Sequence, residues 1–143
     1  MQSTLAIVKP DAVGRSRTGL IIARLEEEGF SVRGIRMLRL SADQAAAFYS
    51  VHHGKPFFAS LVRFMTSGPV VVVVLQHENA VARLREVIGA TDPAEARAGT
   101  IRALYAESKE HNAIHASDSI ENARHECTFF FPDVELIPLE VSS

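Results

Sequence analysis

The chain has 143 residues, 47% of them hydrophobic, and a formal net charge of -2. It suits one compact domain with a true core, taken here as 1–143, and excludes the basic face or stripe of a dedicated nucleic-acid binder. A single cysteine, Cys127, rules out an intrachain disulfide, while the absence of a signal pattern in MQSTLAIVKPD and the shortness of the apolar run 69–75 against the roughly 20 residues of a membrane helix lead us to expect a cytoplasmic protein.

In chain order, TLAIV (4–8) reads as a first strand ended by Lys9 and Pro10, because proline has no N–H to give a ladder. A loop rich in Gly and Arg follows. GLIIARLEEEG (19–29) sets Leu20, Ile21 and Leu25 on one side and stops at Gly29, an amphipathic helix. FSVRGIRMLRL (30–40) alternates but slips phase across Gly34, which predicts a bulged strand. Ser41 and Gln44 form a capping box for the next helix. Phe58, Leu61, Val62 and Met65 then follow the i, i+3, i+4, i+7 template, and SGP ends that helix.

VVVVVL (70–75) is apolar and β-branched on both faces, so it reads as a central strand covered on both sides. Asn79 is the expected cap of a helix whose stripe is Val81, Leu84 and Ile88. From Gly89 to Asn112 the pattern weakens to a long loop with one helical turn near TIRALYA. Asn112 to Ser119 reads as loop. Asp118 with Glu121 predicts a capped helix carrying Ile120, Ala123, Cys127 and Phe130, and ELIPL (135–139) a last edge strand. The order of elements predicts an α+β, ferredoxin-like sandwich: four antiparallel strands with helices on one face, an added helical hairpin and a long loop.

Single motifs point nowhere decisive. GRSRTGL has the glycine spacing of a P-loop, but Leu20 and Ile21 stand where lysine and a hydroxyl are needed. His111, His115, His125 and Cys127 lie close in sequence, yet one cysteine and a mixture of loop and helix positions make a poor zinc cage. His115 alone is an ordinary loop histidine, and SDS (117–119) alone is a helix cap.

Taken together and in order, KPDAV (9–13), YSVHHGKPFF (49–58), SGPVVVVVL (67–75), REVIGATDP (85–93), GTIR (99–102) and NAIHASDS (112–119) resemble the nucleoside diphosphate kinase family from about residue 4 to 131. The resemblance implies ping-pong transfer of the γ-phosphoryl of a nucleoside triphosphate, typically ATP, to a nucleoside diphosphate through His115. A largely neutral imidazole suits that task, since its free ring nitrogen attacks phosphorus without a strong base. By the same resemblance Lys9, Arg85, Arg102 and Thr91 hold the phosphates, Phe57 stacks on the base, and Lys9 and Asn112 reach the ribose. Glu126 would orient His115, with Tyr49 and Ser117 within reach of the histidine or the phosphoryl group. Mg²⁺ is expected to ride on the nucleotide phosphates rather than on protein ligands, with Asp118 a cap that touches it through water, and a homo-oligomer, tetramer or hexamer, is expected.

The chain departs from the family pattern at Ala116, where many members have glycine, and at Leu104, where an acidic residue is common; alanine at 116 is strained if the backbone there needs a positive φ. A non-catalytic nucleotide- or partner-binding module and a phosphorelay fed by a protein donor are the competing readings. The intact residue set weighs against the first, and the strand signals against the second, whose modules are usually helical.

Overall fold

The structure is a computed structural model and describes residues 1–132 and Leu136. Its strands β1 (Gln2–Val8), β2 (Ser31–Leu38), β3 (Val70–His77) and β4 (Ile114–Ala116) form an antiparallel sheet in the order β2-β3-β1-β4. Helices α1 (Pro10–Gly14), α2 (Thr18–Glu27), α3 (Ala42–Phe48), α4 (Phe58–Met65), α5 (Ala80–Ile88), α6 (Ile101–Tyr105) and α7 (Ile120–Phe130) complete it.

β3 takes a central position because its valines serve two cores. Successive side chains of a strand point to opposite faces, and Val71, Val73 and Leu75 join Ile21, Leu25, Leu84 and Ile88 of α2 and α5. Val70, Val72 and Val74 join Leu61, Met65, Cys127 and Phe130 of α4 and α7. Helices therefore cover both faces, which corrects the one-face expectation: β1 divides the same way, with Ala6 and Val8 in the first core and Leu5 and Ile7 in the second. Each fully buried Leu or Ile contributes about 1.5–3 kcal/mol.

The predicted bulge is present, with Val32 opposite Leu75, Gly34 opposite Val74, and Arg33 inserted between them. A side chain at Gly34 would also be crowded, since a Cβ would lie 3.1 Å from the Phe131 ring and 2.9 Å from Leu136, and both would have to shift. The Ser41–Gln44 capping box forms both of its hydrogen bonds.

Four expectations are corrected. The stretch after Lys9 opens as helix α1 with Pro10 in its first turn, where a missing N–H costs nothing. Asn79 makes no side-chain cap; the Val81 N–H donates instead to Oε1 of Gln2 on β1, 2.8 Å away. The α7 cap is Ser119, whose hydroxyl accepts from the Asn122 N–H, while Asp118 accepts from the Asn122 side chain at 2.6 Å. The fourth described strand is β4, within the stretch read as loop, whereas the strand expected over 135–139 lies outside the described residues apart from Leu136.

Candidate active site

The sheet order brings the C-terminal end of β1 beside β4, with Ile7 opposite His115 and Val8 opposite Ile114. Lys9 leaves the sheet here. Its N–H donates to the Ala113 carbonyl at 2.9 Å, and its ammonium, buried at the end of the strand, donates to Asn112 Oδ1 at 2.8 Å. Burial, then the Arg102 charge, lowers the Lys9 pKa to about 8; Asp11 and Glu110 oppose that shift.

Arg102 comes from α6, capped by the Thr100 hydroxyl. The guanidinium is buried, with Nη1 donating to the Gly89 carbonyl at 3.0 Å and Nη2 to the Ile114 carbonyl at 2.8 Å. Burial, then Arg85, pulls its pKa down to about 10. Arg85, on α5, approaches the Ala116 carbonyl at 3.5 Å. Asn112 also donates through Nδ2 to the Thr91 carbonyl at 3.3 Å.

His115 stands on the middle residue of β4 and is held by a carboxylate from the second turn of α7. Its Nε2 is 2.7 Å from Glu126 Oε1, and the Ser117 hydroxyl donates to the same oxygen at 2.8 Å. Ser117 has little choice of direction, because its oxygen accepts from the Leu5 N–H at 3.4 Å. With the carboxylate accepting both bonds, Nε2 carries the imidazole proton and Nδ1 keeps its lone pair. The ring is edge-on to Phe48 at 5.3 Å and to Tyr49 at 5.8 Å, and its side chain is 17% exposed. Burial is the largest cause of a lowered pKa, partly offset by Glu126, so the imidazole is neutral at pH 7.

Tyr49 is buried with no partner for its hydroxyl among the described residues, and burial, then Glu126, raises its pKa. Phe57 is 47% exposed at the mouth of the same space, a flat apolar face turned to solvent. Lys9, Tyr49, Phe57, Arg85, Thr91, Arg102, Asn112, His115 and Glu126 all line one cleft of about 980 Å³. Ser117 is not among the cleft-lining residues, and its hydroxyl donates to the Glu126 oxygen that also meets His115.

Three residues escape a reading of the sequence. Asp11 Oδ2 accepts the Ala113 N–H at 3.1 Å, bracing the turn into β4. Glu110 lines the cleft and accepts from the Ser60 hydroxyl at 2.8 Å. Phe48 packs on His115. Asp11 had a signal in KPDAV; the other two had none beyond adjacency. The alanine at 116 is not strained, since Ser16 and Ala113 are the non-glycine residues with positive φ among the described residues. Leu104 is 55% exposed and is not among the cleft-lining residues.

Chemically, a neutral imidazole with a free lone pair faces a cleft lined by the cations Lys9, Arg85 and Arg102, with the apolar Phe57 ring beside them. Such a site places a polyanion carrying an aromatic group against a nucleophile, and defines a nucleotide-handling phosphotransferase on a ferredoxin-like sheet. The family profile described as nucleoside diphosphate kinase matches residues 2–136. Nucleoside diphosphate kinases of Nitratiruptor and Chlamydia abortus are 55% and 54% identical over 96% of this chain, covering 100% and 97% of their own lengths. Among solved structures, the Aquifex aeolicus enzyme superposes with a TM-score of 0.93 at 47% identity, covering 95% of this chain and 99% of that one. The Halobacterium salinarum enzyme in complex with CDP gives 0.93 at 39% identity, covering 98% and 93%. The chain belongs to the nucleoside diphosphate kinase family. Its activity is the family's, transfer of a terminal phosphoryl group from a nucleoside triphosphate to a nucleoside diphosphate.

Proposed function

We propose that His115 is the nucleophile of that transfer and that the phosphoryl group waits on its Nδ1 between two half-reactions. The observation that carries this reading is the 2.7 Å contact of Nε2 with Glu126, which spends one ring nitrogen and leaves the other free. Attack by Nδ1 leaves positive charge on the ring, and the Glu126 carboxylate stabilises it through the Nε2 proton. Lys9, Arg85 and Arg102 take the charge that spreads over the phosphoryl oxygens, each contact being worth up to about 4 kcal/mol at an effective dielectric near 20. Asn112 steers the Lys9 ammonium, Thr91 adds a polar group at the phosphates, and Tyr49 offers its unpaired hydroxyl to the transferring group.

Phe57 serves as the stacking surface for the base, and a π-face selects no base edge, so a broad range of nucleosides fits. The complex of the Halobacterium relative with CDP accords with a nucleoside diphosphate in this cleft. Mg²⁺ fits as an ion carried mainly on the nucleotide phosphates, with Asp118 on the cleft wall as a carboxylate to meet it through water. When bound, the ion neutralises phosphate charge. The enzyme acts as a single domain in a homo-oligomer, tetramer or hexamer, in the cytoplasm; the outer edge of β2, with Ile35 53% and Met37 59% exposed, supports assembly.

Intact mass after incubation with ATP and Mg²⁺, then with GDP, tests the mechanism. An acid-labile gain of one phosphoryl group, discharged as GTP forms and absent from His115→Ala, is expected; an equal gain in that variant would move the nucleophile elsewhere.

A further inference from the structure

Gly89 follows the last residue of α5 and is bonded to both arginines of the cleft. Its N–H donates to the Arg85 carbonyl at 3.1 Å, closing the helix that carries Arg85, and its own carbonyl accepts from Arg102 Nη1 at 3.0 Å. The Ile114 carbonyl of β4 takes Arg102 Nη2 at 2.8 Å. Two acceptors from separate elements fix a planar guanidinium in place and tilt, whereas one alone lets it swing. Fixing matters here, because Arg85 is a like charge close enough to help depress the Arg102 pKa, so the two are held together against repulsion in the empty cleft.

Only glycine suits the position. Gly89 has φ +88° and ψ -179°, a region of backbone space that side chains do not enter without strain. A Cβ there would lie 2.5 Å from Thr100 Oγ1 and 2.8 Å from Thr100 Cβ. Thr100 is the residue whose hydroxyl caps α6, the helix of Arg102. A side chain at 89 therefore has two ways out: the backbone turns to negative φ and carries its carbonyl off Arg102, or Thr100 yields and takes the start of α6 with it. Either one moves the Arg102 guanidinium.

We propose that Gly89 is a positioning residue that sets the Arg102 guanidinium beside Arg85 for the phosphates, so that a change at 89 acts on transfer through Arg102. The proposal rests on Arg102 as a cation that meets the phosphates, the reading given above.

A double-mutant cycle on the full chain tests it. Gly89→Ala should lower kcat/KM for transfer from ATP to GDP by about tenfold or more, and in an Arg102→Ala background the same change should cost less than about threefold, because the group it displaces is gone. Urea unfolding of all four proteins follows stability, which should fall on Gly89→Ala in both backgrounds. A merely structural role predicts equal losses of rate with and without Arg102. Should alanine at 89 prevent folding, replacement of Ala90 by lactate makes the Gly89 carbonyl an ester, a weaker acceptor, with no added bulk. Its loss should be about threefold or more, and again confined to the protein that has Arg102. A smaller loss in the folded variant, or losses that multiply across the cycle, overturns the proposal. An Arg102→Ala protein as active as the parent overturns the Arg102 reading first and this inference with it.

Discussion

The two halves of the cleft are built on opposite principles. Behind His115 the polar groups are paired with one another: Glu126 accepts from the imidazole and from Ser117, and Ser117 accepts from the Leu5 backbone. Around Lys9 and Arg102 buried cations rest on neutral acceptors, an amide oxygen and two carbonyls, and both are depressed in pKa by burial and by each other or Arg85. A buried charge whose hydrogen bonds go to neutral acceptors is costly in the empty protein, and for Lys9 the Asp11 and Glu110 charges offset that cost only in part. One half therefore holds its geometry without a ligand, and the other is held in readiness for the negative charge of one.

The largest break in that comparison is His115→Ala. Transfer should fall by at least about 10⁴-fold, since no other group supplies the nucleophile. Stability should fall by about 1–2 kcal/mol, more than a loop position would cost, because the side chain lies on β4 against two aromatic rings. Steady-state turnover and urea unfolding of the same preparation measure both. Turnover within tenfold of the parent would remove His115 from the reaction.

Arg102→Ala strikes the other half. We expect a loss of about 2–4 kcal/mol of transition-state stabilisation in kcat/KM, with kcat falling less, because nucleotide binding weakens too. The Gly89 and Ile114 carbonyls also lose their donors, so unfolding should become easier by about 1–3 kcal/mol. An unchanged kcat/KM with lowered stability would make Arg102 a structural strut and leave the phosphates to Lys9 and Arg85.

Lys9 gives the comparison a pH signature in which two quantities move in opposite directions. Its pKa is about 8 in the folded protein against 10.5 for the free side chain. Phosphate binds the protonated form, so affinity for a nucleoside diphosphate should fall as pH rises above about 8. Over the same window the unfolded chain holds the proton that the native one has released, so the stability of the empty protein should rise. Calorimetric binding and thermal unfolding between pH 7 and 10 test both slopes, and Lys9→Met should flatten each. A binding constant that stays level through that range would mean Lys9 does not meet the phosphates.

What the sequence could and could not disclose follows the same division. β3 was legible because five consecutive valines can only be buried on both faces, and the Ser41–Gln44 box because its partners are three residues apart. β4 was not: three residues, Ile-His-Ala, are too few to show alternation, and their strand character comes from pairing with β1 more than 100 residues away. For the same reason the cap of α7 was displaced by one residue, since Ser117, Asp118 and Ser119 are all cap formers and tertiary bonds decide among them. The cleft residues were found through resemblance in order along the chain. That Lys9 is steered by Asn112 and Arg102 by two carbonyls belongs to packing and had no local pattern to announce it.

The smallest expected effect concerns the join between the halves. Ala113 has φ +73°, and the Ile114 N–H donates back to the Asn112 carbonyl at 2.8 Å, a γ-turn of the rare positive-φ kind. The turn sets Asn112, beside the Lys9 ammonium, and His115, beside Glu126, on either side of one tight bend, and Asp11 braces it through the Ala113 N–H. Ala113→Gly relieves strain of about 1–3 kcal/mol, but loses a fully buried methyl worth about 0.8 kcal/mol and gives the unfolded chain freedom worth about 0.4–1 kcal/mol. These terms nearly cancel, so the melting temperature should hardly move, while kcat falls a few-fold because the two halves are no longer locked in register. A destabilisation above about 2 kcal/mol would show that the methyl packs better than the turn strains. An unchanged kcat would show that the sheet, with Ile7 opposite His115, sets the register without help from the turn.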